Sequence, residues 1–129
     1  MSDYTIKNLK EVKNAAEEHG IEGLESRFGR SHMDSEHLGV TYFRYTPGFR
    51  TPFGHRHREQ EEAYVVVSGS GRMRLGDETV DLRPWDLVRV SPQVVRGFEA
   101  GSDGLELIAI GADRPEGGDG EMVKDFWND

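Results

Sequence analysis

From Leu38 onward the chain is a series of short aromatic and β-branched runs, each closed by a turn signal and none separated by a helical period. No other feature constrains the fold as much. Short strands in quick succession leave no room for crossover helices, so they must close on one another as an antiparallel sandwich or barrel. The first run, Gly39-Val40-Thr41-Tyr42-Phe43-Arg44-Tyr45, stops at Thr46-Pro47-Gly48. Further strands are expected over 62–68, 72–75, 79–82, 87–90, 94–99 and 105–110. Turn residues stand between them at Gly69-Ser70-Gly71, Gly76-Asp77, Pro84-Trp85-Asp86, Ser91-Pro92 and Gly101-Ser102-Asp103-Gly104. Gly69-Ser70-Gly71 lacks the Lys-Ser/Thr and the helix of a phosphate loop, and is read as a hairpin turn. Trp85 is expected to pack at its turn.

Ahead of the strands, Asn8-Leu9-Lys10-Glu11 has the form of a capping box, with Asn8 as N-cap and Glu11 reaching back. Leu9, Val12 and Ala16 follow at helical spacing and Gly20 is a stop. This predicts a weakly amphipathic helix of about three turns on the outside of the domain. Behind the strands, residues 111–121 are rich in Gly, Asp and Pro and read as a loop, in which Asp119-Gly120-Glu121 is too short for a calcium loop. The loop leads to Met122-Val123 and Phe126-Trp127, apolar pairs expected to dock on the barrel or on a second subunit. The expected organisation is one domain: an N-terminal helix and extension over 1–37, a β-barrel core over 38–111, and a packing tail over 112–129.

Hydrophobic residues are 35% of the 129 and charged ones 31%, an economical core that predicts further burial in a homodimer. A net charge of −8 argues against nucleic acid or an anionic membrane as partner. Twelve arginines stand against Lys7, Lys10, Lys13 and Lys124, and guanidinium groups pair bidentately with carboxylates, so part of this count is assigned to internal ion pairing. The absence of cysteine removes disulfides, thiolate ligands and a thiol nucleophile. Met1-Ser2-Asp3-Tyr4-Thr5 has no apolar signal core and no apolar run could span a bilayer, so the expected location is cytoplasmic.

Chemistry concentrates at His55-Arg56-His57 and Glu61-Glu62. In an extended segment the two imidazoles share a face, and a carboxylate following a short bend can converge on it. Two imidazoles and one carboxylate suit zinc, nickel, manganese or iron. Strand parity leaves two registers open. If Glu62 faces inward, Tyr64, Val66 and Ser68 go with it; if Glu61 does, Ala63, Val65 and Val67 follow. His32 and His37 lie in a polar segment and are read as exposed.

These residues carry a resemblance. The first motif of the small single-domain cupins is G-x5-H-x-H-x3,4-E-x6-G, and His55-x-His57-x4-Glu62-x6-Gly69 is similar to it, with Gly48 one residue further upstream than the pattern asks. The resemblance spans about 39–110. It implies an all-β double-stranded β-helix, or jelly-roll barrel, and metal ligation by His55, His57 and Glu62, the six-residue gap to Gly69 favouring Glu62 over Glu61. The second motif, G-x5-P-x-G-x2-H-x3-N, keeps its spacing and loses its letters: Trp85, Ser91, Gln93, Arg96 and Ala100 stand at its marked positions. Arg96 therefore occupies the place of a fourth, histidine ligand.

Family topology turns Val94, Arg96 and Phe98 toward the pocket. Arg96, Tyr64 and Phe98 are thus the expected substrate-binding residues. Arg96 either pairs with Glu62 in place of a metal or anchors a carboxylate or phosphate. Three functions are expected to compete. One is a metal-dependent enzyme on a small, anionic or oxygenated organic molecule, with dioxygenase- or isomerase-like chemistry. The second is a metal-free binding or sensing cup anchored by Arg96. The third is a structural or oligomerising role. Fold alone does not choose among them.

Overall fold

The computed structural model describes residues 3–129; Met1 and Ser2, the first residues of the stretch read above as lacking a signal core, lie outside the described residues. Eight strands follow a short helical entry: β1 Leu24–Phe28, β2 Gly39–Tyr45, β3 Gly54–His57, β4 Glu62–Leu75, β5 Glu78–Leu82, β6 Leu87–Val90, β7 Arg96–Gly111 and β8 Gly120–Val123. They form one curled antiparallel sheet. One path runs β1-β2-β7-β3-β8, and β4 pairs with β5, β6 and β7. This is the strand-rich jelly-roll architecture expected, with a short helical segment at its N-terminal end.

The curl comes from β4 and β7, which pair along most of their length but not in one continuous register. Glu62 to Val66 of β4 face Gly111 to Leu107 of β7; then come shifts between Val66 and Ser68 and between Gly69 and Gly71, after which Gly71 to Leu75 face Ala100 to Arg96. Bulges of this kind bend a strand and raise its twist. Glycine makes the bend feasible. Gly69 has φ +84°, and a Cβ there would stand 2.1 Å from the Gly104 carbonyl oxygen. Gly69-Ser70-Gly71 and Gly101 to Gly104 are therefore not chain reversals, as the turn residues had implied, but steps inside two long strands. The shift also undoes the expected parity at Ser68, which bonds Glu106 on the outer face.

The core sits inside the curl: Tyr45, Tyr64, Val66, Met73, Phe98, Leu105 and Leu107 are its main members. Tyr64 is 2% exposed and Val66 1%, whereas Glu61 is exposed and pairs with Arg89 at 2.8 Å. The inward register is thus the one that brings in Glu62.

Three other expectations change. The three-turn helix is a 3-10 turn at Leu9–Glu11 and, separately, helix α1, Ala15–Glu18. Asn8 does cap the first, but Val12 turns extended (ψ 139°) to bury its side chain, and Asn14 restarts the helix by accepting from Ala16 N. Trp85 does not pack: it is 76% exposed at φ +74°. The tail is not all loop, because β8 adds to the edge of β3, pairing His55 with Met122 and His57 with Gly120. Strands β1 and β8 are short and half polar, which is why neither had a readable signal.

Gly48 also has positive φ, +77°, but open space around it. Gly48→Ala is expected to cost about 1–2 kcal/mol, the backbone term alone. Gly69→Ala, which adds a backbone overlap, should cost about 3 kcal/mol or more. Urea titration of both variants checks this, and equal losses would remove the bend argument.

Candidate metal centre and ligand cavity

His55 and His57 alternate along β3 and Glu62 opens β4, so all three reach the concave face. Their ligand atoms lie within 4.8 Å of one another. Glu62 Oε1 is 3.2 Å from His57 Nε2 and 3.6 Å from His55 Nε2. The same oxygen accepts from the Tyr64 hydroxyl at 2.6 Å and from Arg96 Nη2 at 3.0 Å. Arg96 is placed by its register opposite His55 at the start of β7. It is fully buried, and its other donors go to Tyr64 Oη, Pro92 O and Val94 O. It stands behind Glu62 and does not line the cavity.

A further residue comes from the tail. Asp119, 3% exposed, accepts from the backbone N–H of Glu59 (2.6 Å) and Gln60 (2.9 Å) through one oxygen, and its other oxygen is 2.8 Å from His57 Nδ1. This places the Nδ1 proton of His57 against Asp119 and leaves Nε2 aimed at the centre, the usual support for a metal-binding histidine. Sequence reasoning missed Asp119; the apolar Met122-Val123 pair just beyond it was the only sign that this stretch returns to the barrel.

The charges are tightly coupled. Burial alone would push the Glu62 carboxyl up, but donation from His55, His57 and Tyr64 holds it well below the usual carboxylate range. Glu62 raises the His57 pKa above its ordinary 6.5 against the opposing effect of burial, and Asp119 adds to the rise. Asp119 itself is lowered to about 2: burial opposes ionisation, but the Glu59 and Gln60 N–H groups and His57 outweigh it. The Tyr64 hydroxyl is pushed far up by burial and by Glu62, so it stays a donor. A histidine raised in this way contributes stability that is complete below 6.5 and lost as pH rises through the folded value.

The donor set fits a divalent ion: two imidazoles and a carboxylate, one imidazole already oriented through its second nitrogen. The guanidinium of Arg96 lowers the charge such an ion would meet.

These groups form one end of a cavity of about 750 Å³. Its walls are largely aromatic, with Phe28, Phe43, Tyr45, Phe49, Phe53 and Phe98 among the lining residues. Tyr64 lines it too, edge-on to Phe98 at 5.1 Å between centroids. Ala16 and Ile21 line it from the N-terminal segment. His32 and His37 are exposed, and His37 meets Asp113 at 3.0 Å.

The cupin domain family matches residues 41–111. No curated protein matches in sequence. Among solved structures, a cupin protein from Bacteroides fragilis has a TM-score of 0.72 at 21% identity, covering 89% of this chain and 88% of that one. The polyketide cyclase RemF from Streptomyces resistomycificus has a TM-score of 0.72 at 18% identity, covering 97% and 87%. A sugar phosphate isomerase of the cupin superfamily from Silicibacter pomeroyi has 0.70 at 17%, covering 86% and 77%. At these identities the likeness shows the fold. Among the described residues no helix is long and apolar enough to cross a membrane.

Two measurements test the centre. Arg96→Ala leaves Glu62 without its buried counter-charge and is expected to cost about 3–5 kcal/mol in denaturant unfolding, far above a surface arginine. Asp119→Asn should lower the His57 pKa, followed by NMR of the imidazole in metal-free protein; an unchanged titration would remove Asp119 from the centre.

Proposed function

The chain belongs to the cupin family, and we propose that it is a metal-dependent enzyme in which His55, His57 and Glu62 hold a divalent ion at the polar end of a cavity for a small organic molecule. One observation carries this reading: three ligand atoms converge within 4.8 Å on the wall of a cavity rich in aromatic residues. Iron, manganese, nickel and zinc all suit the donor set, and three protein ligands leave positions open for substrate. When bound, such an ion would supply Lewis-acid polarisation of a substrate oxygen.

The chain's own residues would do the rest. Asp119 holds the His57 ring through Nδ1, so that Nε2 presents its lone pair. Tyr64 and Arg96 keep Glu62 ionised and fixed. Tyr45, Phe49 and Phe98 give the cavity an apolar wall, which strengthens charge interactions beside it. Tyr64 and Phe98 would also contact the substrate, whereas the role we give Arg96 is to fix Glu62. Both isomerase- and dioxygenase-like chemistry agree with the donor set. The neighbours named as an isomerase and a cyclase weigh toward the first.

A second reading is favoured by the Arg96–Glu62 pair at 3.0 Å. The carboxylate is already answered by a cation there, as in a metal-free binding cup. A homodimer is proposed as well, supported by the exposed Leu87 and Ile110 on the outer sheet face; sedimentation mass decides it.

The test is metal content. Protein made without a histidine tag should carry close to one ion per chain by plasma mass spectrometry, and a His55→Ala/His57→Ala variant none. Uptake should displace a proton from His57, so zinc affinity by chelator competition is expected to rise from about pH 6 to about pH 8. No ion after incubation with iron, manganese, nickel or zinc would leave the metal-free cup.

A further inference from the structure

We propose that the cavity is built for an apolar carboxylic acid, its acid group gripped by Arg30 and Arg114 beside the His55, His57 and Glu62 centre and its body lying against the aromatic wall. The proposal deepens the ligand-cavity reading above and rests on it.

Most arginines of this acidic chain are spent on carboxylates. Arg27 and Arg44 meet Glu25, Arg50 and Arg72 meet Glu99 and Asp129, Arg89 meets Glu61, and Arg96 meets Glu62. Arg56, Arg74 and Arg83 have acidic neighbours as well. Among the described residues only Arg30, Arg58 and Arg114 have no carboxylate in salt-bridge range, and two of those three line the cavity.

Arg30 is seated, not loose. Its guanidinium lies across Gly39, where a Cβ would fall 2.5 Å from Nε and 2.7 Å from both Cζ and Nη2. At Gly111 a Cβ would fall 2.5 Å from Gln60 Nε2 and 3.2 Å from Arg30 Nη2, so Arg30 and Gln60 share that space. Gly39 and Gly111 are opposite each other in β2 and β7, so the two side-chain-free positions in register leave room for Arg30 over the first and for Arg30 with Gln60 over the second. Nη2 donates to Gly111 O at 3.2 Å and Ala112 O at 2.7 Å, while Nε and Nη1 donate to nothing among the described residues. Capping two carbonyls explains Nη2; it leaves the other nitrogens of the fork without an assignment. Arg114 makes no hydrogen bond among the described residues, and its charge acts on Arg30. Asp113 and Glu62 act on Arg30 in the opposite sense, but neither pairs with it directly, and Asp113 bonds His37.

The same row of the sheet continues to the metal centre, because Gly111 is also opposite Glu62 in β4. Residues opposite one another share a face. With strands about 4.8 Å apart, the Arg30 fork lies roughly 5–10 Å along that row from Glu62. A carboxylate would be accepted in bidentate fashion by one guanidinium and flanked by a second. The arginines and the metal centre thus belong to one polar row, and the aromatic residues that make up much of the remaining lining select an apolar body.

Calorimetric titration with 3-phenylpropionate, its methyl ester and inorganic phosphate tests the proposal, on protein stripped with EDTA. The acid is expected to bind about tenfold or more tightly than the ester, and Arg30→Gln/Arg114→Gln to lose about tenfold for the acid alone. Should the double variant fail to fold because the Gly111 and Ala112 carbonyls lose their donor, Arg114→Gln is expected to lose about threefold by itself. Equal binding of acid and ester, no binding of the acid, unchanged affinity in the folded variants, or phosphate binding as tightly as the acid would each overturn it. The metal reading fails separately: a chain that binds the acid but takes no ion keeps this proposal and loses that one, and a chain that takes an ion but does not prefer the acid does the reverse.

Discussion

One carboxylate oxygen organises the interior of this protein. Glu62 Oε1 accepts from Tyr64 and Arg96 and faces both imidazoles, so a single atom ties together β3, β4 and the start of β7. A buried ion pair is a weak source of net stability, since the desolvation cost offsets most of the attraction. What it does provide is a unique arrangement: Arg96 has nowhere else to send its charge, and Glu62 cannot be protonated without leaving that charge unanswered. Sheet, cavity and centre are consequently locked to the same register.

That register depends on the bent pairing of β4 and β7. If the two strands ran straight, their inner side chains would face a flat surface. The steps at Gly69 and Gly101 to Gly104 fold the sheet over itself, so that Tyr64 and Phe98 are enclosed. Here the glycines are read by what they permit, the close approach of one backbone to another. In the sequence they had read as punctuation.

Strand residues were legible because they are β-branched or aromatic, and β2 was bounded correctly to the residue, whereas β4 and β7 were each read as two strands. The family resemblance added the barrel and the His55, His57 and Glu62 grouping. What stayed hidden was long-range. Asp119 reaches His57 from sixty-two residues away. Arg30 lies over Gly39, which pairs with Gly111, a long-range pairing that no local pattern records. The helix was misjudged for the opposite reason: its spacing was right, but burying Val12 against the sheet outweighed a weak local preference. Arg96 was flagged from its place in a degenerate motif, yet only packing shows that its hydrogen-bonding capacity is spent within the protein.

The tail that delivers Asp119 is fastened further along. Phe126 is buried beneath Gly54 and Gly97, and its carbonyl accepts from Arg74. Trp127 donates Nε1–H to Thr51 O and lies under the guanidinium groups of Arg50, at 4.5 Å, and Arg72, at 5.8 Å. An indole held between cations and a phenyl ring sits in an electric field that the water-exposed Trp85 never meets. The two tryptophans are therefore distinct chromophores, one reporting hydrated surface and the other the docked tail. Light emitted by Trp127 carries information about how firmly the strand that orients His57 is seated.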